Sequence, residues 1–116
     1  MAINVFLDDM RRVPPGFVAA RSLEEFLAIL EADNMHIVSL DFDLGPGRPD
    51  GTDVVRAMID RNRFADEIYL HSSNMQGRLR MYDLLRRHVP ATAQIFCHPV
   101  PDDLLAQIAQ AAAAKQ

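Results

Sequence analysis

Several short apolar runs in this chain end in side chains that bind metals or carry protons. Ile3–Leu7 runs into Asp8 and Asp9, and Ile37–Leu40 runs into Asp41 and, two residues on, Asp43. Glu67–His71 ends in His71 itself, followed by Ser72, Ser73 and Asn74, and Gln94–Cys97 runs into His98 and Pro99. Carboxylates brought together repel one another, and one of them is driven to protonate unless a cation neutralises the pair. A hard divalent ion with oxygen ligands resolves that conflict, and Mg²⁺ typically takes one or two carboxylates, waters and a substrate phosphate. Asp8, Asp9, Asp41 and Asp43 are therefore the candidate ligands of Mg²⁺ or Mn²⁺. His71 and His98 are the candidate proton carriers.

Phosphate recognition has its own candidates. Ser72 and Asn74 precede a helix, whose N-terminus favours anions, and Arg78 carries a guanidinium able to grip a phosphate in bidentate fashion. Plainer roles stand beside these. Asp43 serves equally well as a turn residue bonding its own loop, Ser72 and Asn74 as helix caps, and Arg78 as a solvated charge. Asp50 and Asp53 read as helix-start residues, and Cys97 as an apolar strand residue. Arg11 and Arg12 stand in the first loop, where they could meet an anionic substrate.

The elements that must position these groups follow from the pattern. The apolar runs read as buried strands. Phe17–Ala20 adds another, ahead of a helix that opens at Ser22 with a capping box to Glu25. Leu23, Phe26, Leu27 and Leu30 give that helix one apolar face, and Asn34 is expected to close it. Asp50 to Arg63 predicts a second helix with Val54, Val55, Met58 and Ile59 inward. Met75 to His88 predicts a third with Leu84 and Leu85 inward, and a last one starts near Pro101 with Leu104, Leu105, Ile108 and Ala109 inward.

Strands alternating with helices imply a parallel sheet covered on both faces, whose sites form outside the carboxyl ends of the strands. One link breaks the rule. Leu7 to Phe17 is too short, and too rich in Pro14, Pro15 and Gly16, for a crossover helix, so a loop must replace it. The expectation is one α/β domain over residues 1–116 with a five-stranded parallel sheet.

Composition narrows the class. With 116 residues, 49% hydrophobic and 24% charged, the chain has the makeup of a globular domain. A net charge of −4 argues against an extended nucleic-acid-binding surface. The one cysteine permits no intrachain disulfide and no CxxC metal pair. No apolar run approaches the roughly 20 residues of a membrane span, and no signal peptide is read at the start. A cytoplasmic protein is the expectation.

The motifs Leu7-Asp8-Asp9, Leu40-Asp41-Phe42-Asp43-Leu44 and Asp50-Gly51-Thr52-Asp53-Val54-Val55 resemble the response-regulator receiver domain. Ser72 stands where receivers keep a Ser or Thr against the phosphoryl group, and His98-Pro99 where they keep Lys-Pro. The resemblance implies a receiver/flavodoxin-like three-layer sandwich, with Asp41 as the phospho-accepting position and Asp8 and Asp9 as Mg²⁺ carboxylates. Three departures point to a narrower relative: His98 in place of lysine, the missing first helix, and His71. Together with Leu7 to Arg11, Ser39 to Gly45 and the His71-to-Arg78 stretch, they are similar to the cyclic-phosphate-processing receiver-like family, although Phe42 stands where that family often has a histidine. This resemblance implies metal-dependent processing of a phosphoester, such as a cyclic nucleotide or a 2′,3′-cyclic RNA end. The alternative is an atypical receiver that binds a protein partner without catalysis.

Overall fold

A computed structural model describes residues 2–115. Its strands are β1 (Ala2–Leu7), β2 (Val18–Ala20), β3 (Asn34–Leu40), β4 (Glu67–Leu70) and β5 (Gln94–Phe96). Its helices are α1 (Leu23–Ala32), α2 (Gly51–Arg61), α3 (Met75–His88) and α4 (Asp102–Ala114). The five strands form one sheet in the order β2-β1-β3-β4-β5, every pairing parallel. Residues 8–17 link β1 to the parallel β2 without a helix, as the prolines and the short spacing require.

Side-chain alternation along a strand divides the sheet into two faces. Val5, Leu7, Val38, Leu40, Ile68 and Leu70 turn to one side and form the main core beneath α1, α2 and α3. Ile37 and Tyr69 turn to the other, where Leu104, Leu105 and Ile108 of α4 pack on them. The first loop shares this second face: a Cβ on Gly16 would lie 2.6 Å from a methyl of Ile108. Covered by one helix and a loop, this face has no fully sealed α4 residue.

Predicted strand ends move by one residue: β2 opens at Val18 rather than Phe17, β4 closes at Leu70 rather than His71 and β5 closes at Phe96 rather than Cys97. Two other boundaries move for identifiable reasons. Asn34 does not close α1, which stops at Ala32 with Asp33 extended at φ −133°. Asn34 instead opens β3, paired with Ala2. Asn34 and His36 are exposed and alternate with buried Met35 and Ile37, so the period of two starts earlier than the apolar run suggests. The second helix ends at Arg61 rather than Arg63 because Asn62 turns left-handed at φ 50°, a conformation asparagine adopts more readily than most residues. Its start is as read: Asp50 caps and Asp53 closes the box back onto it.

Candidate functional site

Register sets the geometry of the site. Leu7, Leu40 and Leu70 are partners across three adjacent strands, so the next residue of each strand falls into one row: Asp8, Asp41, His71. Backbone bonds continue past the strands, from Asp41 N–H to Leu7 O and from His71 N–H to Leu40 O. The same alternation that puts Ile37 and Tyr69 under α4 turns these three side chains toward that face, where the loop replaces a helix. One ligand atom from each of Asp8, Asp41 and His71 lies within 4.8 Å of the others.

Asp8 is 1% exposed. Its Oδ1 accepts the backbone N–H groups of Met10 and Arg11, each at 2.9 Å, and its Oδ2 accepts His71 Nε2–H at 2.9 Å. Burial alone would push its carboxyl up, but the Arg11 and Met10 amides and His71 outweigh it and hold Asp8 below the ordinary carboxylate value. Arg21, which directly follows β2, fastens the loop over this acid by donating to the carbonyls of Asp8 and Arg11.

His71 is sealed, 4% exposed and stacked on Phe6 with ring centroids 4.4 Å apart. Burial pushes its pKa down against the opposing pull of Asp8. A neutral ring fixes the tautomer: Nε2–H faces Asp8, and Nδ1 accepts from Ser39 Oγ at 2.6 Å. Both ring nitrogens are thus occupied. Ser39 was not singled out in the sequence; its signal is a hydroxyl inside the apolar run Ile37-Val38-Ser39-Leu40, two residues before Asp41 and therefore on the same face.

Asp41 is half-buried and accepts Phe42 N–H at 2.8 Å. Burial and the neighbouring charge of Asp8 push its pKa up to about 6, against the Phe42 amide, Ser72 and Arg11. Asp9, half-buried, and Asp43, exposed, line the same open cleft of about 500 Å³ as Asp8, Asp41, Met10 and Arg11.

The phosphate candidates cluster on the next turn. Buried Ser72 Oγ accepts Asn74 N–H, Asn74 caps α3 through Gly77 N–H, and Arg78 Nη1 donates to Ser72 O. Arg78 Nε is buried without a hydrogen-bond partner among the described residues. Asn74 therefore has the capping role, and Arg78 is tied to the Ser72 backbone rather than solvated along its whole length. Phe42 turns away from the acids into the core, where its ring fills the space a Cβ on Gly77 would need.

His98 continues the row beyond His71 but stays apart from the cluster. Its exposed ring leans on Tyr69 and Phe96, centroids 5.9 and 5.5 Å away, and Nδ1 lies 2.7 Å from its neighbour Pro99's carbonyl oxygen. Cys97 is half-buried against the core.

The family model described as "Cyclic-phosphate processing Receiver domain" matches residues 3–87. The match spans every residue of the acid row and the Ser72–Arg78 turn, and stops before His98. Among solved structures, the chain is similar to the receiver domain of the Francisella response regulator 1452, at 12% identity and a TM-score of 0.58 with 100% of both chains covered. It is also similar to a CheY-like response regulator receiver domain from Methanospirillum hungatei JF-1, at 16% identity and a TM-score of 0.58, covering 99% of this chain and 96% of that one. At these identities the likeness is one of fold. No curated protein matches the chain.

Proposed function

The chain belongs to the cyclic-phosphate processing receiver family, and from that premise we propose that it is a Mg²⁺- or Mn²⁺-dependent phosphoester-processing domain that opens a cyclic phosphate. The observation that carries this reading is the Asp8–Asp41 pair, two carboxylates in one partly desolvated site, one of them with its pKa raised to about 6 by its surroundings. Such a site favours a cation. Its donors are hard oxygens, which suit Mg²⁺ or Mn²⁺. Asp8 Oδ2, Asp41 and Asp9 would hold the ion, with Asp43 at the cleft's outer edge; it would polarise a phosphoryl oxygen and lower the pKa of a bound water.

The chain's own groups then divide the work. Asp8 is aimed by His71 and the Met10 and Arg11 amides, so it holds a fixed charge at the floor of the cleft. His71, occupied on both nitrogens, acts on that charge as a positioning residue rather than on substrate. Ser72 Oγ, against Asp41, is in reach of a phosphoryl oxygen at the start of α3, and Arg78 holds the Ser72 backbone in place. Asp41, ionised above about pH 6, accepts a proton from the attacking water or attacks phosphorus itself. His98, exposed at the sheet edge, reaches substrate only from outside the acid row.

The test is a screen of 2′,3′- and 3′,5′-cyclic nucleotides with Mg²⁺ or Mn²⁺, repeated on Asp9→Asn and Asp41→Asn. Metal-dependent ring opening lost in both variants is expected. Failure to turn over any member while metal still binds would overturn the reading. One observation favours a second reading as a phospho-accepting signalling module that binds a protein: Asp41 stands half-open beside buried Asp8, at the position the likeness to receivers gives the phospho-accepting acid. Stoichiometric labelling by acetyl phosphate with Mg²⁺, lost in Asp41→Asn, would select it.

A further inference from the structure

A second cleft of about 500 Å³ opens beside the acidic one and shares Asp9 and Gly45 with it. One wall is the turn from β2 into α1, with Arg21, Leu23 and Glu24; the other is the β3–α2 loop, with Leu44, Arg48 and Pro49. Building on the proposed phosphoester activity, we infer that this cleft binds the nucleoside carried by the phosphate, with Arg48 and Glu24 as its recognition groups.

Size, charge and free valences each bear on the occupant. The volume lies within the roughly 300–1,000 Å³ of small-molecule sites. Arg21 is already committed to the Asp8 and Arg11 carbonyls, and Glu25 accepts the Arg21 N–H. Among the described residues, the side chains of Arg48 and Glu24 have no hydrogen-bond or ion-pair partner. A second phosphate would meet Arg48 but also the uncompensated carboxylate of Glu24. A neutral ring bearing both donors and acceptors satisfies the two together: Glu24 accepts from a ring amino group, and the flat guanidinium of Arg48 stacks or donates. Leu23, Leu44 and Pro49 supply the apolar contact a base requires.

Gly45 forms the threshold between the clefts. It sits at φ +112°, and a Cβ there would lie 3.4 Å from Arg48 Cγ and 3.7 Å from Asp9 Oδ2. With no side chain at Gly45 and Asp9 lining both clefts, a phosphate beside Asp9 would have an open way for its substituent past Gly45 to Arg48.

The experiment compares the four nucleoside 2′,3′-cyclic phosphates with glycerol 1,2-cyclic phosphate, which lacks a base, by amide chemical-shift mapping and titration of the Mg²⁺-loaded chain. The expected result is that both ligand types shift Asp9 and Ser72, while only the nucleotides shift Glu24, Leu44 and Arg48. Arg48→Ala and Glu24→Gln, both at exposed positions, should each weaken at least one nucleotide about tenfold and leave glycerol cyclic phosphate unchanged. Nucleotides that bind at Asp9 and Ser72 with no shift in the second cleft, and equally well to both variants, would overturn this inference and spare the phosphoester reading. Binding of neither ligand type near Asp9 and Ser72 would overturn that reading and this inference with it.

Discussion

His71 Nε2 and Asp8 Oδ2 meet at 2.9 Å across 63 residues of sequence, both side chains only 2% exposed. A buried acid needs donors, and Asp8 has three: this imidazole and two loop amides. Ser39 completes the chain on the far side of the ring. Removing the ring leaves Asp8 Oδ2 and the Ser39 hydroxyl buried without this partner, while the two amides keep Oδ1.

His71→Ala should therefore lower stability by about 2–4 kcal/mol, measured by urea denaturation. Mg²⁺ affinity should fall as well, because Asp8 loses its aim. If His71 instead moved protons for substrate, the pH profile of turnover would change with metal affinity intact.

Acidification tests the same ring from another side. His71 has a lowered pKa in the fold, so below its ordinary value of 6.5 the unfolded chain takes up a proton that the folded one refuses. Its contribution to stability is present above about 6.5 and declines as pH falls toward the folded value. Asp41 works against this trend. Its folded pKa of about 6 lies above 3.8, so the folded chain binds the extra proton between those values and gains stability as pH falls through that window. Asp41→Asn should consequently steepen the acid loss between about pH 6 and 4 in thermal melts of the metal-free chain.

The raised Asp41 pKa also fixes the sign of metal linkage. A cation competes with the proton, so Mg²⁺ should stabilise the fold more at pH 7.5 than at pH 5, with the change centred near the Asp41 value of about 6. The shift in melting temperature with added Mg²⁺ at each pH measures it. Asp41→Asn should abolish most of the metal-induced shift and, above pH 6, stabilise the metal-free chain by removing a charge repelled by Asp8.

Gly77 and Phe42 make a packing test near the site without touching its charges. Helix propensity favours alanine over glycine by about 1 kcal/mol, but a Cβ at Gly77 would overlap the Phe42 ring. The clash should win, and Gly77→Ala should cost about 1–3 kcal/mol. Placed in a Phe42→Leu background it should cost markedly less, which a double-mutant cycle reads directly. Equal costs in both backgrounds would mean that the ring is not the obstacle.

Asn74→Ala should remove the α3 cap at Gly77 and cost about 1 kcal/mol. A larger loss of phosphate affinity than of stability would assign Asn74 a part in ligand binding as well as in capping.

Much of this was legible in the chain itself. Apolar runs ending in acids marked the strand ends, the Ser22 box and Asp50 marked helix starts, and two prolines with a glycine ruled out the first crossover helix. These are local signals, set by backbone sterics and by which atoms a neighbouring residue can reach. Asn34 and Asn62 show their limit: exposed polar residues concealed where β3 begins, and a left-handed turn ended α2 early.

The site was legible in its membership more than in its roles. That Asp8, Asp41 and His71 each stand at a strand end is written in the local pattern of apolar runs. Only the pairing of Leu7 with Leu40 and Leu70 put them in one row and on one face, because register is a relation between strands that no single strand encodes. Tertiary packing then decided what each group could do. It sealed His71 between Ser39 and Asp8, left Asp41 half-open with its proton held to about pH 6, and kept His98 at the edge of the sheet. Burial and partner geometry set protonation and access, and both depend on neighbours distant in the chain.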